Sequence, residues 1–281
     1  MSNRIPSLEL NQGGPMPQLG LGVWQIADAQ VPAAVQAALE AGYRSIDTAA
    51  VYGNEAAVGA AIRQSGIARS ELYITTKLWN DSQGRERTLR AFDASLKKLD
   101  CGYIDLYLIH WPLPRLGLYL ETWKTLEELR RDGRVKAIGV SNFQPAHLQR
   151  LIDESGTVPA VNQVELHPFL QQRPLRGFHK RHGIVTEAWS PLAQSAALRH
   201  PALVKIAARH RRSVAQIVLR WHIEQGIVAI PKSATPARVR ENAALFDFQL
   251  SPEDLSAISA LDQGRRVGPD PDTFAMGAQG R

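Results

Sequence analysis

A single cysteine, Cys101, stands in 281 residues, so no internal disulfide can form and the framework of a small secreted scaffold is excluded. Lying beside a strand-like run, it reads as a small buried hydrophobe. No apolar stretch approaches the ~20 residues that a membrane helix needs. The start, Met1-Ser2-Asn3-Arg4-Ile5-Pro6, lacks the apolar core of a signal peptide, and these absences together predict a cytoplasmic protein without membrane partners. Charge is sparse, 21% of residues against 44% hydrophobic, which suits a globular chain with a large core. A phosphate loop of the Gly-x-x-x-x-Gly-Lys-Ser/Thr kind is missing. Gly20 and Gly22 begin a Gly-x-Gly-x-x-Gly turn, but Gln25 takes the third glycine's place, so the usual dinucleotide fingerprint is broken as well.

What charge there is leans basic, with 33 Lys and Arg against 27 Asp and Glu. The densest runs, Arg209-His210-Arg211-Arg212 and His179-Lys180-Arg181-His182, close predicted helices, where cations complement the dipole and face water. They are read as solvated surface rather than as a nucleic-acid footprint. His179 and His182 share a helix face at three-residue spacing, but no third ligand stands near them, so no metal is expected.

The chain alternates between two patterns. Strand-like runs occupy 19–24, 43–47, 72–77, 104–110, 137–141, 160–164, 184–189 and 227–231. They are β-branched or aromatic without clean alternation, as parallel strands buried on both faces are. Helical patterns lie between them; Leu89, Phe92, Leu96 and Leu99 form one apolar stripe. Asn54 is expected to cap the helix running to Gly66, Gly133 and Gly156 to close two others, and Pro145 and Pro201 to open two more. A hairpin with a glycine turn precedes the first run. Eight alternations predict an α/β fold, a (β/α)8 TIM barrel spanning 1–281 as one domain, with an N-terminal β-hairpin and a short glycine- and proline-rich tail (264–281) over the barrel. The competing doubly wound sheet would want the glycine fingerprint that is broken here.

Asp47, Lys77 and His110 each end a strand-like run, and Tyr52 follows the first of these by five residues. In a parallel barrel the C-terminal strand ends converge on one mouth, so the four can meet. A phenol is a weak acid; a nearby Lys77 ammonium is expected to lower its pKa, with Asp47 holding the ammonium and His110 orienting a substrate oxygen. That set protonates a carbonyl oxygen. A hydride source is also required, and side chains supply none. Ser141, Asn142 and Gln163 at later strand ends suit a carboxamide, Trp189 offers a flat face, and Lys232, Ser233 and Arg238, with Asn242 beyond, suit a phosphate monoester.

Three separated segments resemble the aldo-keto reductase family over essentially the whole chain. They are Gly42–Ala49 with Tyr52-Gly53-Asn54-Glu55 and Val58-Gly59; Gly133 with Ile138–Phe143; and Ile230-Pro231-Lys232-Ser233 with Arg238 and Glu241-Asn242. The resemblance implies NADPH-dependent reduction of aldehydes and ketones, with Tyr52 as acid, Lys77 and Asp47 tuning it and His110 positioning the carbonyl. It implies a cofactor lying extended across the barrel on Gly22, Trp24, Asp47, Ser141, Asn142, Gln163, Trp189, Ser190, Leu192, Gln194, Lys232, Ser233, Arg238, Glu241 and Asn242. A pocket walled by Trp24, Trp79, His110 and Trp111 would take small, sugar-derived or α-dicarbonyl substrates. Trp189 and the short loop 111–118 are similar to bacterial members of the 2,5-diketo-D-gluconate-reducing type, and many members are monomers. A regulatory module that senses nicotinamide nucleotide is the alternative on the same scaffold, and the intact tetrad speaks against it. His110 also speaks against relatives that reduce carbon–carbon double bonds, which carry glutamate there.

Overall fold

Each strand-like run becomes one strand of a parallel sheet in the computed structural model, which describes residues 5–277. A two-stranded antiparallel hairpin, β1 (Ser7–Glu9) and β2 (Pro15–Pro17), comes first. Then β3 (Gly20–Gly22), β4 (Ser45–Asp47), β5 (Tyr73–Leu78), β6 (Ile104–Ile109), β7 (Val135–Ser141), β8 (Val161–Glu165), β9 (Val185–Trp189) and β10 (Val228–Ala229) pair in chain order. Parallel bridges from Leu19 to Ala229 and from Gly22 to Lys232 return the last strand to the first. The architecture is a (β/α)8 barrel.

The closing seam is the shortest pairing, and its cause is local. Pro231 has no N–H to give to a ladder, so β10 stops short of the 227–231 expected for it. Pro231 instead accepts from Gly22 N at 3.2 Å. A Cβ on Gly22 would sit 2.9 Å from the Ile230 carbonyl oxygen, so the seam needs glycine there. The Gly20–Gly22 pair, half of a nucleotide fingerprint in sequence, thus serves strand closure.

Helices fill the outside: α1 (Val31–Glu40), α2 (Glu55–Gln64), α3 (Arg85–Leu99), α4 (Tyr119–Arg131), α5 (Pro145–Ser155) and α6 (Arg173–His182) alternate singly with strands. Two, α7 (Pro201–His210) and α8 (Val214–Glu224), separate β9 from β10, and α9 (Pro236–Ala243) and α10 (Pro252–Ser259) follow. Pro145 and Pro201 open α5 and α7, and Gly156 closes α5 with φ 74°, as expected. Phe92 and Leu99 on the α3 stripe are fully buried against the sheet. Asn54 departs from expectation. It takes the N-cap position of α2, but its side chain bonds no N–H of that helix; its amide nitrogen donates to the carbonyls of Val23 (2.9 Å) and Ile26 (3.2 Å), while its oxygen accepts from Thr48 Oγ1 at 2.9 Å. Two loops at the mouth are stapled together in exchange for the lost cap.

The hairpin closes the other end. Met16 is completely buried among Leu106, Ala137, Val161 and Val228 inside the barrel, and Gln12 Nε2 donates to the carbonyls of Ile138 and Val158. Cys101 is buried, as its reading required. Lys180, Arg181, Arg209 and Arg211 of the basic runs are exposed as expected, but Arg209 and His210 both contact the buried carboxylate of Asp254, and Arg212 pairs with Asp247 at 2.5 Å. His179 is buried too, its ring accepting from Asn162 Nδ2 and bonded to Thr186 Oγ1, whereas His182 stacks on Phe178 at 4.3 Å. Among the described residues no cluster of potential metal ligands exists, and no helix is long and apolar enough to cross a membrane.

Candidate active site

Strand geometry decides which side chains meet. Inward positions recur every second residue, so Asp47 on β4 and Thr75 and Lys77 on β5 point into the lumen. Lys77 is fully buried, and its Nζ donates to Asp47 Oδ1 at 2.6 Å and to the Thr48 carbonyl at 2.8 Å. Tyr52 arrives on a single 3-10 turn (Ala50–Tyr52) that Gly53 terminates at φ 76°. The ammonium lies 5.2 Å from the Tyr52 ring centroid. His110 follows β6, its backbone N bonded to the Leu78 carbonyl at 3.2 Å. Its imidazole meets Tyr52 edge-on at 5.9 Å, Trp79 edge-on at 5.1 Å, and lies near-parallel to Trp111 at 6.4 Å. The four residues converge as the strand-end argument required.

The electrostatics differ from the sequence reading at one point. Burial raises the Tyr52 phenol, and the Lys77 charge pulls it down only in part, so the net direction is up rather than down. Tyr52 is half-buried, facing the cavity, which leaves its hydroxyl open to a ligand. Burial also works against the Lys77 charge, but Asp47 and Tyr52 more than restore it and its pKa rises. Burial first and Lys77 second hold His110 well below the ordinary imidazole range, so its ring is neutral at neutral pH.

A cavity of about 310 Å³ opens above this group. Of the residues singled out in sequence, it is lined by Gly22, Trp24, Asp47, Tyr52, Trp79, His110, Trp111, Asn142, Gln163, Trp189, Ser190, Gln194 and Lys232. Lys77 and Ser141 lie buried behind the wall. Ser141 Oγ donates to the Gln163 carbonyl at 2.7 Å; Asn142 Nδ2 donates to the His110 carbonyl at 2.9 Å, and Asn142 Oδ1 accepts from Trp189 Nε1 at 2.8 Å. Leu192, half-buried in the loop after β9, packs against the core and does not line the cavity. Ser190, Gln194 and Ser195 in that loop have positive φ (48°, 50° and 77°). Ser233, Arg238, Glu241 and Asn242 stand outside the cavity, at and along α9. Larger clefts of about 830 and 720 Å³ lie against β1 and near Gly13, Arg44 and Asp105; neither holds a member of the tetrad.

Sequence reasoning missed two groups. Pro269, Phe274 and Met276 of the tail line the cavity, Phe274 stacking on Trp111 at 4.2 Å, and Asn80 Nδ2 holds the Met276 carbonyl at 2.7 Å. No periodicity marks these positions. The other is Glu187, whose carboxyl accepts from Gln163 Nε2 at 2.8 Å. A charged residue inside the apolar run of β9, two positions before Trp189, was the available signal.

Comparison with known proteins places this geometry among its relatives. The model of the Aldo/keto reductase family matches residues 16–263. The methylglyoxal reductase DkgA of Escherichia coli (strain K12) is 52% identical over 269 residues, covering 95% of this chain and 97% of that one. The crystal structure of an aldo/keto reductase from Brucella melitensis superposes with a TM-score of 0.89 at 57% identity, over 92% of this chain and all (100%) of the other. That of a Gox0644 mutant in complex with NADPH superposes with a TM-score of 0.91 at 47% identity, over 96% and 98%.

Proposed function

The chain belongs to the aldo/keto reductase family, and from that premise we propose that it reduces small aldehydes and ketones to alcohols with NADPH. The observation that carries this reading is the Asp47–Lys77 ion pair, buried behind a Tyr52 that faces an apolar cavity beside a neutral His110. α-Dicarbonyl and sugar-derived carbonyls are the substrate class: the related DkgA is named a methylglyoxal reductase, and the pocket walls beside His110 are indoles. A wall of Trp24, Trp79 and Trp111 excludes water and favours small neutral molecules over acids.

The chain's own residues suit the cofactor. Both Gln163 amide hydrogens are spent on Asp47 and Glu187, which turns its oxygen toward the cavity as an acceptor for a carboxamide N–H. Trp189 is pinned through its ring nitrogen and lends a face to the nicotinamide. Lys232 and Arg238 would hold the 2′-phosphate with Ser233, Glu241 and Asn242 would serve the adenine, and the loop 190–194 the pyrophosphate. Bound there, the nicotinamide would supply the hydride that side chains cannot.

The remaining work falls to protein groups. The neutral His110 donates one N–H to the carbonyl oxygen and fixes its direction. Tyr52 gives its proton to that oxygen as negative charge develops, and the Lys77 ammonium stabilises the phenolate left behind. Asp47 holds the ammonium in place. Oxidation of NADPH by the purified protein, offered aldehydes, α-dicarbonyls and keto-sugars, tests this beside Tyr52→Phe. Turnover is expected to fall roughly 10²–10⁴-fold in the variant while NADPH affinity stays within about twofold. Retained turnover, or a large loss of NADPH affinity, contradicts the assignment.

A further inference from the structure

Beneath the tetrad lies a second carboxyl group that the reduction does not itself call for. Glu187 sits at an inward position of β9 and is fully buried. One amide nitrogen, Gln163 Nε2, donates to Glu187 Oε2 and to Asp47 Oδ2, each at 2.8 Å, so a single NH₂ bridges the two acids. The Lys77 ammonium is committed to Asp47 Oδ1 at 2.6 Å and to the Thr48 carbonyl at 2.8 Å. Glu187 has no ion-pair partner among the described residues, and its Oε1 meets no hydrogen-bond partner at all. Leaving a carboxylate buried without a cation costs more than keeping its proton.

We propose that Glu187 is a positioning residue that sets the charge of the Asp47–Lys77–Tyr52 cluster. With its proton in place the cluster is neutral; when that proton leaves to solvent the cluster becomes one unit more negative. The proposal rests on the reading of Tyr52 as the acid. Burial and then the Asp47 charge push Glu187 up to about 8, opposed by its bond from Gln163 and by Lys77. The groups that face it are Asp47 on β4, Tyr73 and Lys77 on β5, Tyr52 on its turn and Gln163 on β8; β10 contributes only Val228 and Ala229. A negative Glu187 raises Tyr52 and tightens the grip of Lys77 on its proton. The direct effect on Tyr52 makes the phenol a weaker acid, so reduction slows as pH rises past the Glu187 transition.

Two measurements decide it. Infrared spectra of the cofactor-free protein, followed from about pH 6 to about pH 10, should show a protonated-carboxyl C=O band that disappears with a midpoint near 8 and is absent in the isosteric Glu187→Gln. The kcat for carbonyl reduction should fall through the same midpoint in the wild type, and in Glu187→Gln the fall should move up by about one pH unit or more. The same alkaline inflection in both proteins overturns the proposal. So does the absence of any acid band in the wild type at neutral pH, a result that stands even if the variant fails to fold. Should the wild type reduce no carbonyl, the functional reading fails, while the infrared titration still decides the state of Glu187.

Discussion

Lys232 and Arg238 take part in no ion pair among the described residues, while the neighbouring Arg240 is held by Glu40 at 2.8 Å. Two exposed cations left free beside a cavity rim are suited to a phosphate. Charge-assisted hydrogen bonds contribute about 1.5–3 kcal/mol each, so Lys232→Ala with Arg238→Ala should weaken NADPH roughly 10²-fold or more. NADH, lacking the 2′-phosphate, should change by less than about threefold. Calorimetric titration of both nucleotides checks this, and equal losses would place the two cations elsewhere. Single residues were otherwise well marked in the chain, because each of Asp47, Lys77 and His110 ends an apolar run. Their energetics were not. The sequence shows that Lys77 can approach Tyr52, but how deeply the phenol is buried depends on Trp79, His110 and the tail, and burial prevails.

Elements were legible wherever apolar residues recurred, and their ends were not. All eight strand runs form strands, yet β7 begins at Val135 and β10 holds only Val228 and Ala229, because pairing partners set where a ladder starts and Pro231 sets where one stops. Packing between elements has its own demands. Gly59 of α2 lies against α3, and a Cβ there would clash with the Leu99 carbonyl oxygen, a backbone atom that cannot turn aside. Helix propensity alone favours alanine at that position. Gly59→Ala should nevertheless cost about 1–3 kcal/mol by overpacking and lower the Tm by roughly 2–10 °C. Calorimetry would show it, and an unchanged or higher Tm would mean that α2 and α3 part freely.

Stability of the whole molecule is tied to pH through groups the barrel has buried. His110 sits well below the ordinary imidazole range and His179 is pushed down to about 3, first by burial; the Asn162 amide that donates to His179 Nε2 also requires a neutral ring. Unfolding lets both imidazoles bind protons below about pH 6.5, so stability is full above that value and is lost as pH falls. Glu187, raised to about 8, acts the other way: its contribution is full below about pH 4.5 and is lost as pH rises to 8. These two imidazoles, joined by the buried His222 that desolvation pushes down to about 4, outweigh one carboxyl on the acid side, and the carboxyl acts alone above about pH 6.5. The urea midpoint should therefore peak near pH 6.5, the unfolding free energy falling by roughly 1.4 kcal/mol per pH unit above it and by about twice that below it. A midpoint that climbs steadily from pH 5 to pH 8 would contradict this.

Read by itself, the chain determined its strands, its barrel, the tetrad and the family signatures, because hydrophobic period and strand-end chemistry are local and survive without coordinates. Only the tertiary structure decided that the tail's Phe274 and Met276 wall the cavity, that the Asn54 side chain staples two loops instead of bonding the helix it precedes, and that Glu187 shares the Gln163 amide with Asp47. Each of these joins residues far apart in sequence at a distance of a few ångströms. Such a meeting leaves no period in the chain, and the low-dielectric interior that sets its energy exists only once the barrel has closed.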